Sequence, residues 1–177
     1  MYLIQILSIL LISGIYASNQ CPEKWSYFEK TDGCYHLNNF TNDENDRWKM
    51  YTAKEAEEKC KEWESHLVSI HSKDEDDFLQ ELIKSNVKEL KDGHNPCFFQ
   101  YAWIGLRGNG KANSGSWTDD TPVDYTSYAK AEELDNKFWK IGNDESCQIQ
   151  GWAWSGEEAH KNARFICKKQ NKIMLAN

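Results

Sequence analysis

Three carboxylates and an amide are concentrated in residues 131–136, where the sequence reads AEELDN. The side chains of Glu132, Glu133 and Asp135 offer the hard oxygen donors that calcium prefers, because this ion takes about six to eight oxygen ligands. A solvated acidic loop has the same composition, so the residue types alone leave both interpretations open. The elements around the segment therefore determine which interpretation holds.

Two amphipathic segments in the first half of the chain predict helices. Residues 51–63 place small and apolar side chains on one face at spacings of three and four: Ala53, Ala56, Cys60 and Trp63. Ser72 precedes the second segment, and its spacing from Glu75 predicts a capping box, in which each side chain satisfies a backbone amide of the other residue. Apolar positions then continue at helical spacing to about Leu90, which predicts a long second helix.

The second half of the chain predicts strands around a long loop. Short apolar, aromatic or β-branched segments indicate strands at residues 66–70, 98–106, 147–154 and 163–167. The segment from Arg107 to Asp144 is rich in Gly, Asn, Asp and Ser and has little periodicity, and a loop of that length is usually functional or disordered. Helices early and strands late indicate an α+β fold.

The N-terminus predicts export. Residues 1–17 carry no charged side chain, and their apolar run of about thirteen residues is too short for a membrane span, which needs about twenty. Such a run at the extreme N-terminus, ending in small residues, indicates a signal peptide cleaved after Ala17, with Ser18 as the next choice. Residues 18–20 then form a short N-terminal segment. The mature chain is expected to be secreted, soluble and without a membrane span.

Cysteine content and charge narrow the class of protein further. All six cysteines follow the predicted cleavage site, which favours three disulfides but leaves fifteen connectivities open: Cys21, Cys34, Cys60, Cys97, Cys147 and Cys167. A metal at His94 and Cys97 is disfavoured because no CxxC pair accompanies them. The net charge of −7 disfavours nucleic acid and anionic membranes as partners. Asn39 begins a glycosylation sequon, which predicts a surface position.

WIGL at 103–106 and a terminal FIC at 165–167 frame a long loop, and that loop includes SWTDDTPVDYTSY at 116–128. These motifs, in this order, resemble the C-type lectin-like fold, in which the last of them is similar to the family's W-[ST]-D-G-[ST]-P-V-x-Y-x-x-W segment. Residues 21–35 resemble the extra N-terminal hairpin of the family's long form. The resemblance covers 21–168 and is closest to small secreted invertebrate members. It implies two helices with antiparallel strands, a long loop region and disulfide bonds, followed by a tail at 169–177 without an assigned role.

The resemblance also implies how the cysteines pair. In the family, the hairpin is closed by its own bridge, here Cys21–Cys34, and the first helix is joined to the last strand, here Cys60–Cys167. The usual partner position for Cys147 holds Ala159. Because Cys97 is the remaining cysteine, a non-standard Cys97–Cys147 bridge is predicted.

A degraded calcium site is a further implication of the resemblance. Sugar-binding members hold calcium on a Glu-Pro-Asn or Gln-Pro-Asp triplet, a glutamate before the fourth cysteine and a Trp-Asn-Asp triplet. The first triplet falls within residues 132–135, where the proline is missing, and the last is Trp154-Ser155-Gly156, which has lost its amide and its carboxylate. The implied metal ligands are Glu133, Asp135 and Glu145, with Glu132 as an alternative to Glu133. No cofactor is expected, and calcium would bind weakly.

The implied function is recognition of a ligand and not catalysis. The expected contact surface is residues 129–144 with the strand at 148–154, where Trp152 offers a sugar-stacking face and Trp154 is expected to be core. Trp139 lies in a polar stretch and is expected to be an exposed contact residue. Glycan binding, plausibly in defence against microbes, is the first hypothesis, and protein binding through the same face is the second. The sequence predicts neither the sugar nor the oligomeric state.

Overall fold

The computed structural model describes residues 21–89, 96–108, 115–127, 137–156 and 158–171. Its eight strands are β1 Ser26–Phe28, β2 Gly33–Asn38, β3 His66–Leu67, β4 Ala102–Gly108, β5 Gly115–Trp117, β6 Phe138–Asp144, β7 Ile149–Ser155 and β8 Arg164–Gln170. The two α-helices are α1 Ala53–Glu62 and α2 Lys73–Leu82. Three short 3-10 helices lie at Glu29–Thr31, Val87–Glu89 and Pro96–Phe98. Within the described residues, no helix is long and apolar enough to cross a membrane.

All eight strands belong to one sheet in the order β1-β2-β8-β4-β6-β7, with β3 added to β8 and β5 added to β4. The expected α+β class is confirmed. The expectation of antiparallel strands is wrong for one pair, because β4 and β8 run parallel, with Ala102 opposite Arg164. The N-terminal hairpin of β1 and β2 is present as predicted, and its second strand pairs with β8.

The two helices begin with different cap arrangements. At α1, Thr52 and Glu55 form a complete capping box, which the sequence reading did not identify. At α2, Ser72 Oγ accepts the amide of Glu75 at 3.2 Å, as predicted. The second half of that predicted box is wrong, because the Glu75 carboxylate accepts the amide of His71 at 2.9 Å and lies 2.6 Å from Lys168 Nζ. Glu75 therefore links α2 to the sheet.

The second helix ends at Leu82, earlier than the apolar period predicted. Beyond it, side chains of the sheet bond to several of the backbone groups. Arg164 donates to the carbonyl of Ile83 at 2.6 Å, and the Asp144 carboxylate accepts the amide of Val87 at 2.8 Å. Val87 extended the apolar period because its side chain is buried. It lies in a 3-10 helix and not in α2.

Two clusters of apolar side chains form the core, one on each face of the central strands. The first contains Trp117, Trp139 and Ile141 among its twelve buried members. The second surrounds the Cys60–Cys167 disulfide, which lies against Trp103 and Phe165 and is fully buried. The three predicted pairings are confirmed: Cys21–Cys34, Cys60–Cys167 and Cys97–Cys147.

The segment predicted as one long loop, residues 107–144, contains two strands. β5 pairs with β4, and β6 lies between β4 and β7 in the interior of the sheet. The predicted contact surface at 129–144 is therefore wrong for β6, whose residues from Trp139 to Gly142 are buried. Among the described strands β7 is the last on this side of the sheet, and at its middle Gly151 has a φ of +99°.

The sheet buries one amine, that of Lys140. Its Nζ lies 3.0 Å from Nε2 of His160 and 4.7 Å from the ring centroid of Tyr101. Within the described residues no carboxylate forms an ion pair with it, and burial lowers the pKa of Lys140 to about 8.

This burial predicts a dependence of stability on pH. The folded pKa lies below the unfolded value, so between about pH 8 and 10.5 the unfolded chain binds more protons, and the free energy of unfolding should rise with pH. Lys140→Met should be more stable than the parent at pH 7, because it removes a buried charge. Urea unfolding at pH 7 and pH 9.5 measures both effects. An equal pH response in parent and variant would contradict the assignment.

Candidate functional site

The predicted acidic ligands Glu132, Glu133 and Asp135 lie outside the described residues, so their role stays a prediction. The described residues that border this segment are the end of the 115–127 stretch and Lys137 at the start of β6. The geometry on both sides determines what surface the segment joins.

The 115–127 stretch is fixed to the segment that precedes α2 by a network of side-chain hydrogen bonds. Ser69 Oγ donates to Asp119 at 2.5 Å, and the ring of His71 lies 2.7 Å from Asp124 and 3.1 Å from Thr121 Oγ1. Burial acts to raise the pKa of Asp119, but hydrogen bonds from Ser69 and Thr121 outweigh it and lower the pKa. This acidic motif therefore has a structural role, and it holds the approach to the loop in place.

The predicted ligand Glu145 is exposed and lies in the turn between β6 and β7. At that turn Asp144 is opposite Ile149, whereas Ser155 is opposite Phe138 at the other end of the hairpin. Six residues of strand separate the two ends by roughly 20 Å at about 3.3 Å per residue. Glu145 therefore does not face Ser155 and Gly156, and the grouping of these positions around one ion, which the resemblance implied, is wrong.

The neighbouring carboxylate, Asp144, is the one that turns inward. It accepts hydrogen bonds from Ser85, Val87, Ser146 and Cys147 and is fully buried. Burial acts to raise the pKa of Asp144, but these hydrogen bonds outweigh it and lower the pKa. The sequence reading missed this residue, because an Asp before a Glu in a polar stretch carries no sign of burial.

Trp139 is not the exposed contact residue that its polar surroundings predicted. Its side chain is 4% exposed and belongs to the core, with its ring 6.3 Å from that of Trp152. The prediction was wrong because β6 has a paired strand on each side and is covered on both faces. The polar residues next to Trp139 in the sequence therefore do not indicate its exposure.

Trp152 and Trp154 share a face of β7, as predicted, but differ in exposure. Trp152 is half-buried, and its indole N–H donates to Asp76 at 2.9 Å, which ties β7 to α2. Trp154 is 51% exposed, so its predicted place in the core is wrong. β7 extends beyond the part of α2 that covers Trp152, so the ring of Trp154 is exposed to solvent. Lys137 Nζ lies over this ring, 4.0 Å from its centroid.

Comparison with known proteins agrees with this architecture. The family model for the lectin C-type domain matches residues 49–169, which include both helices and the strands from β3 to β8. The chain belongs to the C-type lectin domain family. Domains of this family bind carbohydrate or protein ligands.

Curated relatives of this C-type lectin domain include snake proteins. Snaclec A10 of Macrovipera lebetinus is 35% identical over 127 residues, which cover 70% of each chain. Snaclec A5 of the same species is 32% identical over 163 residues, which cover 90% of each chain.

Solved C-type lectin structures share the fold. The carbohydrate-recognition domain of the mouse scavenger receptor C-type lectin is 25% identical, with a TM-score of 0.57 over 86% of this chain and 98% of that chain. The protein CEL-IV has a TM-score of 0.62 at 24% identity, over 84% of this chain and 93% of its own. The Ca²⁺-independent C-type lectin SPL-2 from Saxidomus purpuratus has a TM-score of 0.59 at 20% identity, over 85% and 94% of the two chains. At identities below 25%, the last two indicate the fold alone.

The arrangement has one consequence for metal binding. Within the described residues, no three His, Cys, Asp or Glu side chains are grouped so that they could hold a metal ion. The position of the family's Trp-Asn-Asp triplet offers an aromatic face at Trp154 and no carboxylate at Ser155 or Gly156. The described part of the loop face is therefore suited to stacking and hydrogen bonding.

Proposed function

We propose that this protein is a secreted C-type lectin domain that binds carbohydrate without a calcium site of the family type. The observation that carries the proposal is the open ring of Trp154 beside Ser155 and Gly156, where metal-binding members have an amide and a carboxylate. An aromatic face suits the apolar side of a sugar ring, because it removes C–H surface from water without the loss of hydroxyl hydration.

Lys137 adds a polar contact to this face. Its ammonium group lies 4.0 Å from the centroid of the Trp154 ring, and it can donate hydrogen bonds to sugar hydroxyls at the edge of the ring. Trp152 is anchored by Asp76 and supports the same face from the core side. Glu132, Glu133 and Asp135 are proposed to contribute acceptors for hydroxyl groups from the adjoining loop.

Calcium is proposed to contribute little to this binding. With Glu145 at the far turn of the hairpin, the remaining candidate ligands of the family type are confined to Glu132, Glu133 and Asp135. Because affinity for calcium depends on ligand number and charge, such a set would bind the ion weakly.

The protein is proposed to be secreted, with residues 1–17 as its signal peptide. Three disulfides cross-link the described residues, and such bonds persist in oxidising compartments. Asn39 is exposed and can accept the glycan that its sequon predicts.

A glycan array probed in calcium and in EDTA tests the proposal. We expect binding that EDTA leaves unchanged. Calcium-dependent binding of mannose or galactose would contradict the calcium-free site. A silent array, together with capture of a defined protein ligand that Trp154→Ala abolishes, would favour the alternative, protein recognition by the same face. No described strand pairs with the outer edge of β7, and such an edge, which can offer backbone groups to a partner, supports that alternative.

Trp154→Ala is expected to weaken sugar binding at least about tenfold, since exposed aromatic anchors carry much of the energy of a binding face. Phe98→Ala is the matched control, because Phe98 is also 51% exposed but lies near His160, away from Trp154. Titration calorimetry with a sugar selected from the array measures both variants. If both variants lose the same sugar affinity, Trp154 is not part of the binding site.

A further inference from the structure

A cavity of about 760 Å³ lies between α1 and the adjoining ends of β4, β5 and β6. Five residues of α1 border it at helical spacing, so one face of the helix forms its wall: Ala53, Lys54, Glu57, Glu58 and Lys61. The volume is within the range of about 300–1,000 Å³ that small-molecule sites occupy. The cavity opens on the α1 side of the sheet, whereas Trp154 shares the opposite face with Trp139 and Trp152.

The floor of the cavity is rigid. Gly105 of β4 approaches β3 so closely that a Cβ atom there would lie 2.7 Å from the carbonyl oxygen of Leu67. Leu67 is buried, and Phe138 of β6 packs against the same cluster. Ser116 lies opposite Arg107 across the β4–β5 pair and adds a hydroxyl to the wall. The lining thus combines an apolar floor with hydrogen-bonding groups in fixed strands.

Three carboxylates border the cavity, and two of them are satisfied within the protein, whereas the third, Glu158, is exposed at its rim. Glu57 is 7% exposed, and its carboxylate lies 2.7 Å from His66 Nδ1 and accepts the amide of Leu67 at 2.8 Å. Glu58 accepts a hydrogen bond from Lys61 at 3.1 Å.

The lining carries four cationic side chains against three carboxylates, an excess of one positive charge. None of the ion pairs in the described part of the chain includes Lys54, Arg107 or Lys137, although all three border the cavity. The hydrogen bond to Glu58 raises the pKa of Lys61, and the positive charge of Arg107 acts against that rise, so Arg107 and Lys61 are within electrostatic reach of each other. Two cations that face one cavity from β4 and α1 repel each other, and an anion between them would remove that repulsion.

We propose that this cavity is a second ligand site, centred on Arg107 and adjoining the face at Trp154, for an acidic sugar unit of mono- to disaccharide size. The carboxylate or sulfate of the ligand binds Arg107, whose planar guanidinium matches either group in two parallel hydrogen bonds. Lys54 and Lys137 flank this position, and the ring of the sugar lies over Phe138 with Ser116 as a hydrogen-bond partner. The proposal does not rest on sugar binding at Trp154, because its anion contact is Arg107 and its apolar surface is Phe138. Lys137 and Gly156 border both sites, so Arg107→Gln and Ser116→Tyr are the variants that separate them.

Titration calorimetry of the oxidised protein with three disaccharides tests the proposal: one sulfated, one with an unsulfated uronate and one neutral. We expect binding of at least one acidic disaccharide and none of the neutral one in the Trp154→Ala background. Arg107→Gln should weaken acidic binding about tenfold, the loss expected for one charge-assisted contact. Lys59→Gln is the matched control, because Lys59 lies on the same helix but bonds to Glu62, outside the cavity. It should leave the affinity unchanged.

Ser116→Tyr provides a second arm that retains every charge. A tyrosine at this strand position would fill the cavity, so acidic binding should be lost while the urea midpoint stays close to that of the parent. Stronger binding of the sulfated probe would assign the anion as a sulfate ester, and stronger binding of the uronate would assign it as a carboxylate. Absence of binding to both acidic probes, or equal losses in Arg107→Gln and Lys59→Gln, would overturn the proposal.

Discussion

Simultaneous replacement of Cys60 and Cys167 by alanine is expected to lower the free energy of unfolding by about 5 kcal/mol, which is comparable to the whole stability of many domains. The bridge closes a span of 107 residues between α1 and β8, so its loss frees most of the denatured chain. Both sulfurs lie in the fully buried cluster with Trp103 and Phe165, and their removal also leaves a void there. Urea unfolding of the oxidised protein, followed by tryptophan fluorescence, measures the loss.

The Cys21–Cys34 bridge supplies the control. It closes only 13 residues, so Cys21→Ala with Cys34→Ala should cost about 3 kcal/mol on the same chain-entropy argument. The Cys97–Cys147 bridge spans 50 residues and should fall between the two, at about 4 kcal/mol. If the three double variants lose equal stability, the span of the loop does not determine the contribution of each bridge.

Arg164→Leu is expected to cost about 3–5 kcal/mol, the loss typical when one partner of a buried charge network is removed. Arg164 is fully buried and donates to the carbonyls of Ile83 and Gln100 at 2.6 and 2.8 Å. Burial lowers the pKa of Arg164 to about 10, and the charge of Asp144 acts against that shift. Leucine fills much of the volume but leaves the carbonyls unpaired and the Asp144 carboxylate without its cation.

The matched control for this variant is Arg107→Leu on the same sheet. Arg107 is exposed, so its replacement should change stability by no more than about 0.5 kcal/mol. The double variant Arg164→Leu with Asp144→Asn should lose less than the sum of the two single changes, because each change removes the partner of the other. Additive losses in urea unfolding would show that Arg164 and Asp144 are not coupled.

The part of the fold that local pattern predicted is the α1 period, which depends on neighbouring residues alone. The hairpin at residues 21–35 and the pairing of the six cysteines followed from the resemblance to the family, because the cysteine spacing by itself left fifteen connectivities open. The interior strand β6 was missed because a strand covered on both faces lacks the alternation of polar and apolar residues that identifies a half-buried one. Its Lys140 and Asp144 also appeared to be loop residues, although both are buried.

The candidate site was predicted less well, because it depends on which strand is outermost. Trp139 and Trp154 lie opposite each other on β6 and β7, and their exposures are the reverse of those predicted. Glu145 matched a ligand position by its distance from Cys147 along the chain. The register of the β6–β7 hairpin places Glu145 in the distal turn, and no local sequence pattern specifies that register.

The position of β7 also bears on whether two molecules of this protein can pair through their sheets. An outermost strand rich in tryptophan could pair with the same strand of a second molecule and begin a growing stack. The positive φ of Gly151 interrupts the regular backbone at the middle of that edge, so a straight incoming strand would meet only short runs of aligned donors and acceptors. A residue with a Cβ at position 151 would favour a more regular edge, and such variants should precipitate at lower concentrations than the parent protein.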